Sequence, residues 1–303
     1  MDNEQDKYVI VAENLVKIYK TKDIEVMALQ GLDILIERGE IMAIIGNSGS
    51  GKSTFLNMVG SLDRPSAGKL IVDGKDLFKM SEKDLVNYKI STVGFVWQNN
   101  ARNLIPYLSA LENVIMPMQF NRVSPIKNKK RRALELLELM GIRKQAKHKL
   151  SQLSGGEQQR VAIALSLANH PAVLLADEPT GSVDTRTTNM IMEMFRTVNK
   201  ELGTTIVIVT HDREISKQVG RVVAIRDGKT SSEFITSYSD KLKNLEGFTE
   251  GVATEFAVLD RAGRVQIPRE LLDKMGLDGN RVQITLDENN RVVLRSPNDK
   301  QAS

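Results

Sequence analysis

The chain has 303 residues, of which 41% are hydrophobic and 26% are charged, and 42 basic against 38 acidic side chains give a net charge of +4. These proportions exclude a disordered, collagen-like or coiled-coil protein, and the length predicts about two domains. The small positive excess does not by itself indicate a nucleic-acid partner. The sequence lacks cysteine, a membrane-spanning apolar run and a signal-peptide pattern at its start. Disulfides and thiolate zinc sites are therefore excluded, and we expect a soluble, intracellular protein.

The first two thirds of the chain predict an α/β core. Alternating segments typical of half-buried strands lie at 8–12, 26–29 and 32–36. Continuous apolar runs typical of strands buried on both faces lie at 41–45, 172–176 and 205–209. Helical patterns separate these runs, so we expect a central parallel sheet. The polar, helix-forming stretch from about Asp84 to Gly141 predicts an inserted helical subdomain.

The α/β pattern stops after Gly228. The next apolar residues recur at helical spacing, and they are Ile235, Tyr238, Leu242 and Leu245. Two glycines then make a joint, and a separate module with strand-like alternation follows. We therefore predict an α/β domain over 1–230, a helical linker over 231–250 and a small C-terminal domain over 251–303.

A glycine-rich segment follows the first buried run and matches the P-loop pattern. Its residues are Gly46, Asn47, Ser48, Gly49, Ser50, Gly51, Lys52 and Ser53, with Thr54 next in the predicted helix. The glycines let backbone N–H groups wrap a phosphate at a helix N-terminus. In this pattern Lys52 reaches the β- and γ-phosphates and Ser53 ligates Mg²⁺. The alternative is a strand–helix turn that binds nothing.

Two more buried runs end in residues that suit phosphate chemistry. Asp177 and Glu178 follow one run and His211 follows another. At the carboxyl edge of the same sheet, Asp177 is placed to hold the metal and Glu178 to act as general base on water. His211 is placed to contact the γ-phosphate. Solvated acids and a surface histidine are the alternatives.

A second glycine-rich helix start lies far along the chain from the P-loop. Ser154, Gly155, Gly156 and Glu157 predict a capped helix N-terminus that can bind an anion. An ordinary cap is the alternative. Since one triphosphate needs only one cradle in its own chain, we expect this second cradle to serve the nucleotide of another subunit.

Together these motifs resemble the ATP-binding cassette (ABC) ATPases over roughly residues 8–228. The P-loop, Gln98, 153–157, Asp177-Glu178, 182–184 and His211 occur in the family's order. The resemblance implies a P-loop NTPase fold with a RecA-like core, an antiparallel β subdomain and a helical subdomain. It also implies ATP and Mg²⁺ as ligands and a head-to-tail homodimer.

The same resemblance implies roles for single residues. Tyr19 would stack on adenine, and Gln98 would contact Mg²⁺, act in catalysis and relay to a membrane partner. Asp184 would communicate across the dimer interface. Glu178 and His211 would carry hydrolysis, and Ser154 to Glu157 would close over the partner's ATP.

The segments 25–29 and 103–114 are similar to the macrolide-exporter and lipoprotein-release branch. This likeness implies an ATPase that drives a separate membrane permease by mechanotransmission, in antibiotic, peptide, lipoprotein or lipid export or extraction. It also implies a peripheral location on the cytoplasmic face of the membrane. The alternative function is an ATP-regulated DNA-binding regulator that acts through the C-terminal domain.

Residues 255–295 resemble the swapped-hairpin transition-state regulators (AbrB-like). The resemblance depends on the order in which these residues occur along the chain: 259–271, Met275, Gly276, Leu277, Val282 and Val292. That family dimerises by interleaved hairpins and often binds DNA. The eight basic and eight acidic residues of 251–303 leave no net charge for phosphate contacts. We therefore expect dimerisation, and we regard DNA as an unlikely partner.

The run Lys127-Asn128-Lys129-Lys130-Arg131-Arg132 admits two interpretations. It could be a nucleic-acid or anionic-lipid patch, or the solvated start of a helix. The sequence favours the solvated helix start.

Overall fold

The computed structural model of the protein describes residues 6–20, 24–98, 104–180, 185–212, 215, 217–236, 253–258, 263, 265, 267, 269–275, 282–287 and 291–295. They belong to two compact units, Met1–Phe256 and Ala257–Ser303. No helix within these residues is long and apolar enough to cross a membrane.

In chain order, the strands of these residues are β1 (Tyr8–Lys20), β2 (Glu25–Glu37), β3 (Ile41–Ile45), β4 (Ala67–Val72), β5 (Lys75–Asp76), β6 (Val93–Val96), β7 (Val173–Asp177), β8 (Thr205–Thr210), β9 (Arg221–Arg226), β10 (Lys229–Thr236), β11 (Ala253–Ala257), β12 (Gln283–Leu286) and β13 (Val292–Arg295). The α-helices are α1 (Lys52–Val59), α2 (Glu82–Ser91), α3 (Ala110–Phe120), α4 (Lys129–Leu139), α5 (Gly155–Ser166), α6 (Thr185–Leu202) and α7 (Arg269–Lys274). Short 3₁₀ turns cover Arg143–Gln145 and Leu150–Gln152.

The first unit contains two sheets. A four-stranded sheet has the order β2-β1-β4-β5 and is antiparallel. A seven-stranded sheet has the order β11-β10-β9-β3-β8-β7-β6, and its strands from β9 to β6 are parallel. The predicted parallel α/β core is confirmed.

The central strands are buried on both faces, as their continuous apolar runs predict. Along β3 and β8, Ala43 and Ile208 pack in a cluster with α3, α4, α5 and α6. Their neighbours Ile44 and Val207 pack in another cluster with α1 and the four-stranded sheet. Because successive side chains of a strand point to opposite faces, each face of the sheet has its own core.

The helical insertion is smaller than expected from the sequence. Within the stretch predicted as helical, Val93–Val96 forms β6 at the edge of the parallel sheet. The strand is short and contains Gly94, which is unfavourable in strands on propensity. A Cβ at Gly94 would lie 2.3 Å from the carbonyl oxygen of Ser166, so the close approach of α5 requires glycine there. The inserted layer is the pair α3 and α4, packed on α5.

The sheet also continues beyond Gly228, where the sequence predicts an end. Asp227 and Gly228 have positive φ angles of 51° and 71° and connect β9 to β10 as a tight hairpin. An Asp-Gly pair between alternating segments is a strong hairpin signal, because both residues of a type I′ turn need φ above zero. Consequently Ile235 lies in a strand and not in the predicted helix. The rest of that predicted helix, 237–250, lies outside the described residues.

The C-terminal unit contains a two-stranded antiparallel sheet and the short helix α7. Ile284 pairs with Leu294 and Leu286 with Val292, so these four apolar side chains share one face. Ile284, Leu286 and Val292 are 66 to 67% exposed. Among the residues from Ala257 to Arg295 whose exposure the structure describes, none is buried. The swapped-hairpin fold stays a prediction.

Candidate functional site

Four neighbouring parallel strands place the predicted catalytic residues at one edge of the sheet. In the spatial order of the strands, β3 leads into the P-loop and β8 into His211, β7 ends at Asp177 with Glu178 next, and Gln98 comes shortly after β6. The carboxyl ends of parallel strands meet at the same edge, where open α/β sheets bind their ligands. The structure therefore brings together residues that are up to 165 positions apart in the chain, from Gly46 to His211.

The P-loop backbone leaves no room for side chains at two of its glycines. A Cβ at Gly46 would lie 2.2 Å from the carbonyl oxygen of Ile225, and one at Gly51 would lie 2.7 Å from that of Ala28. Gly51 precedes α1 with a φ of 105° and supplies no side-chain cap. Within the described part of the chain, the first N–H groups of α1 therefore lack a side-chain cap.

Ser50 adds a second polar group that lacks a partner. Its Oγ is buried and has no hydrogen-bond partner among the residues that the structure describes, and the residue is 6% exposed. Its carbonyl oxygen accepts a 3.0 Å hydrogen bond from the Gly228 N–H, so the β9–β10 turn holds the loop. Uncapped helix N–H groups and an unpartnered hydroxyl suit a polyphosphate. The loop, including Asn47, Ser48 and Gly49, fits the predicted ligand.

Lys52 lies over the loop that it follows. Its Nζ donates hydrogen bonds to the carbonyl oxygens of Gly46 at 2.8 Å and Asn47 at 3.0 Å. Burial lowers the pKa of Lys52, whereas the negative charges of Glu178 and Asp177 raise it. The P-loop lysine and the acids after β7 thus form one electrostatic group.

Two side-chain oxygen atoms meet close to the lysine. Ser53 Oγ donates a 3.3 Å hydrogen bond to Asp177 Oδ1. Among the described residues no cluster of three or more histidine or acidic side chains could hold a metal by itself. A hydroxyl with one carboxylate fits Mg²⁺ in a nucleotide site, because phosphates and water supply its other ligands. Gln98 is exposed just after β6, the strand next to β7.

Glu178 is held at the end of β7 by its backbone and by its side chain. Its φ of 47° is unusual for a non-glycine residue, and its N–H donates a 2.8 Å hydrogen bond to the carbonyl oxygen of Val209. Thr210 Oγ1 donates to Glu178 Oε2 at 3.1 Å, and His211 Nδ1 lies 2.8 Å from Oε1. The carboxylate and the imidazole form a pair that Thr210 orients. Sequence reasoning missed Thr210, although it directly precedes His211.

Tyr19 lies beside the start of α1 and is fixed by two neighbours. Its hydroxyl donates to Asp63 Oδ2 at 2.7 Å, and Lys17 Nζ donates to Asp63 Oδ1 at 2.6 Å. The Lys17 ammonium also lies 4.7 Å from the centre of the Tyr19 ring. Burial and then the hydrogen bond to Asp63 raise the pKa of Tyr19, and the hydroxyl of Thr54 lowers it. The ring is thus held at a fixed place near the P-loop helix.

Sequence analysis missed both partners of Tyr19. The position of Lys17 could have been predicted, because residues two apart in a strand lie on the same face and Lys17 therefore lies next to Tyr19. The position of Asp63 could not, because it lies 44 residues further along the chain.

The second glycine-rich helix start is capped within its own turn. Ser154 Oγ accepts from the Glu157 N–H at 3.3 Å, and Glu157 Oε2 accepts from the Ser154 N–H at 2.8 Å. The hydrogen bonds that the Ser154 N–H and the Ser154 hydroxyl donate to the Glu157 carboxylate lower the pKa of Glu157, the one from the backbone most. A Cβ at Gly155 or Gly156 would meet no atom within 4 Å. The start of α5 is therefore ordered and open in a single chain.

No hydrogen bond or ion pair links 154–156 to the P-loop in the part of the chain that the structure describes. Asp184 lies outside the described residues, so its predicted role stays a prediction. The remaining predicted residues form two groups. One group lies at the carboxyl edge of the parallel sheet, with Tyr19 near α1, and the other lies at the start of α5.

Comparisons with known proteins agree with this geometry. The family described as "ABC transporter" matches residues 29–181. An uncharacterized ABC transporter ATP-binding protein of Thermotoga maritima is 47% identical over 223 residues, 74% of this chain and 94% of the relative. The lipoprotein-releasing system ATP-binding protein LolD 2 of Caulobacter vibrioides is 43% identical, covering 73% of this chain and 95% of the relative.

A solved structure has the same fold. It is a dimeric post-hydrolysis state of the ATP-binding cassette MJ0796, a protein of Methanocaldococcus jannaschii, bound to ADP and Pi. It matches with a TM-score of 0.66 and 39% identity, over 74% of this chain and 97% of that chain. About a quarter of this chain has no counterpart in these proteins.

Proposed function

We infer that this chain, which belongs to the ABC transporter family as an ATP-binding and ATP-hydrolysing subunit, drives a separate membrane permease. The named lipoprotein-releasing relative supports a permease of the lipoprotein-release and macrolide-exporter type. The work done is mechanotransmission, in which the cargo never touches the ATPase. The cargo is an antibiotic, a peptide, a lipoprotein or a lipid.

The observation that carries the proposal is the pairing of Glu178 with His211 beside Lys52. Glu178 acts as general base on the attacking water, and Thr210 keeps its carboxylate oriented. Lys52 and the P-loop N–H groups hold the phosphates, His211 contacts the γ-phosphate, and Tyr19 stacks on adenine. Ser53, Asp177 and Gln98 would hold Mg²⁺, which would supply positive charge to offset that of the phosphates.

The open start of α5 supports a homodimer with ATP at its interface. Ser154, Gly155, Gly156 and Glu157 close over the ATP held by the partner's P-loop, and Asp184 communicates between the two sites. The dimeric state of the solved relative supports this arrangement. ATP binding closes the dimer, and hydrolysis resets it.

This function places the chain at the cytoplasmic face of the membrane as a peripheral subunit. The domain division that goes with it is a cassette that runs through β10 to Thr236 rather than ending at 230, followed by a linker up to 250 and a C-terminal domain over 251–303. A DNA-binding regulator gains no support from the relatives, which are transporter subunits.

The test is affinity purification of Glu178→Gln from detergent-solubilised membranes with ATP. Since the variant binds ATP but hydrolyses it slowly, the closed complex accumulates, and a permease should copurify in stoichiometric amount. Glu201→Gln, at an exposed position of α6, is the matched control and should retain less permease. A membrane-free dimer that carries DNA would contradict the transporter function.

A second proposal concerns the C-terminal domain, which we infer to be an AbrB-like swapped-hairpin dimerisation domain that clasps two cassettes together. The shared apolar face of Ile284, Leu286, Val292 and Leu294 supports it. An isolated two-stranded sheet is marginally stable in water, so a partner for this face is expected. A clasp of this kind raises the effective concentration of one cassette near the other.

Removal of the residues after Gly247 tests the clasp. We expect weaker ATP-driven association and slower ATP hydrolysis at low protein concentration, measured by sedimentation and by phosphate release. In the full chain, Ile284→Ser with Leu286→Ser should reproduce the loss, whereas Gln283→Ser with Thr285→Ser on the other face should not. Unchanged dimerisation and hydrolysis after the deletion would exclude the clasp.

A further inference from the structure

The connection between α3 and α4 concentrates positive charge. Residues 113–134 contain six basic side chains and no acidic one, whereas the rest of the chain has 36 basic and 38 acidic side chains. The positive excess of the protein is therefore located in this stretch. Its members are Arg122, Lys127, Lys129, Lys130, Arg131 and Arg132.

The charges of α4 oppose the stability of the helix. Its first turn, which follows Asn128, is Lys129-Lys130-Arg131-Arg132 and has no acidic residue, while Glu138 lies in its last turn. Helix dipoles favour the reverse arrangement. Helix α2 has that favourable arrangement, with Glu82 and Asp84 in its first turn and Lys89 in its last. Because the order of charges in α4 goes against the helix-dipole preference and gains no stability, it points to a function of these cations.

Three of these six cations have no ion pair and no side-chain hydrogen bond within the described residues. Arg131 pairs with Glu135, Arg132 donates to the carbonyl oxygen of Leu167, and Lys129 approaches Gln119. For Arg122, Lys127 and Lys130, all exposed, no ion pair is formed within the part of the chain that the structure describes. Their charges are available to a partner.

Two exposed apolar side chains flank Arg122. Phe120, at the end of α3, is 61% exposed and Val123 is 59% exposed. The hydrogen bond from Lys129 Nζ to Gln119 Oε1, at 3.5 Å, places the start of α4 next to the end of α3. Lysines around an exposed phenylalanine are typical of surfaces that lie on anionic membranes.

From this combination we propose that the surface formed by Phe120, Arg122, Val123, Lys127, Lys129 and Lys130, the basic corner, binds anionic phospholipid headgroups. A lipid surface fits better than an acidic protein, because two apolar side chains are far fewer than a stable protein interface of about 800 Å² per partner contains. A membrane offers many mobile phosphates to flexible lysines. The proposal goes beyond the proposed function and rests on it only in that the chain works beside a membrane.

The test is cosedimentation of the full chain with lipid vesicles. We expect binding to vesicles of phosphatidylcholine and phosphatidylglycerol in equal amounts, loss of binding at high salt, and no binding to phosphatidylcholine alone. Combined Lys127→Gln, Lys129→Gln and Lys130→Gln should lower the partition coefficient by about 5-fold per residue, roughly 100-fold in total. Phe120→Ser should lower it by a smaller factor.

The matched control removes three lysines elsewhere, as Lys79→Gln, Lys83→Gln and Lys89→Gln on the exposed surface around α2. An equal loss in this control would overturn the proposal, because net charge alone would explain it. The basic-corner variant should melt no lower than the wild type, since it relieves the charges at the start of α4.

Two further outcomes separate this inference from the proposed function. Absence of any preference for phosphatidylglycerol, with ATP hydrolysis intact, overturns the lipid contact and leaves the ATPase function standing. If vesicles are not bound but the lysine variant no longer copurifies with a permease, the corner docks protein and the lipid proposal is wrong. If the wild-type protein did not hydrolyse ATP, that result would instead contradict the proposed function.

Discussion

The starts of α1 and α5 are both rich in glycine, yet the structure treats them differently. At α1, Gly51 supplies no cap and Lys52 bends back over the loop, so the helix N–H groups remain for a ligand. At α5, Ser154 and Glu157 cap each other, and the neighbouring glycines are open to solvent. An uncapped, enclosed start suits a ligand held within the chain, whereas a capped, exposed start suits one brought by a second molecule.

The largest expected effect comes from the same substitution at two glutamates, Glu178, whose charge acts on Lys52 at the start of α1, and Glu157 in the first turn of α5. Glu178→Gln should lower kcat for ATP hydrolysis by about 10²–10⁴, because it removes the general base. Glu157→Gln should change kcat little, since glutamine also closes a capping box. Phosphate release at saturating ATP measures both. Equal losses in the two variants would break the distinction between the helix starts.

The second prediction adds a methyl group at each start. Gly51→Ala should destabilise the protein by about 3 kcal/mol, because its φ of 105° is strained for alanine and a Cβ would meet the Ala28 carbonyl oxygen at 2.7 Å. Gly155→Ala should not lower the free energy of unfolding, since no atom lies within 4 Å of its Cβ. Urea unfolding of the two variants compares them. If Gly155→Ala proved the more damaging, α5 would be the enclosed start.

The third prediction concerns the contacts that fix Tyr19 beside α1. Burial tends to raise the pKa of Asp63, but hydrogen bonds from Lys17, Tyr19 and the Arg64 N–H lower it below the usual 3.8. Since the folded pKa is depressed, this stabilisation is complete above the unfolded pKa of about 4 and is lost as the pH falls through the folded value. Asp63→Asn should cost about 1.5 kcal/mol at neutral pH.

Denaturant unfolding of Asp63→Asn and the wild type from neutral pH to below pH 4 measures this loss. The difference between the two proteins should shrink only in the acid range. The KM for ATP should rise by a larger factor than kcat falls, because Asp63 fixes Tyr19, which we propose to stack on adenine and not to contact the phosphates. Asp76→Asn is a control at a carboxylate that pairs with the exposed Lys79. A constant difference down to the lowest pH would show that Asp63 acts without its charge.

The smallest expected effect concerns the cap of α5. Ser154→Ala should cost about 1 kcal/mol of stability through loss of the hydrogen bond to the Glu157 N–H. Ser154→Thr keeps a hydroxyl at the cap and should recover most of it. Thermal unfolding of the chain without nucleotide measures the change. Full stability of the alanine variant would mean that the cap is unimportant in the single chain.

The sequence predicts most of the cassette because its signals are local. The apolar runs of β3, β7 and β8 and the P-loop pattern each lie within a few consecutive residues, so the edge that carries the site follows from them. The failures are β6 and β10. Strand β6 was missed because Gly94 is unfavourable in strands, and the reason for glycine there, the close approach of α5, exists only in the folded chain. Strand β10 was missed although the Asp227-Gly228 turn before it was a local signal, which composition-based reasoning overlooked.

The supporting residues of the site were less predictable. Thr210 and Asp63 act on Glu178 and Tyr19 through hydrogen bonds between segments that are 32 and 44 positions apart. No spacing rule connects such residues in one sequence. Positioning residues of this kind are found only when the chain is folded.

The turn at Asp227-Gly228 has a practical consequence for anyone who inserts a tag or a probe. Its Gly228 N–H bonds to Ser50, and its carbonyl oxygen accepts from the Gln30 N–H at 2.9 Å, so a two-residue connection spans both sheets. An insertion in this turn would therefore displace the P-loop, to which the turn is hydrogen-bonded.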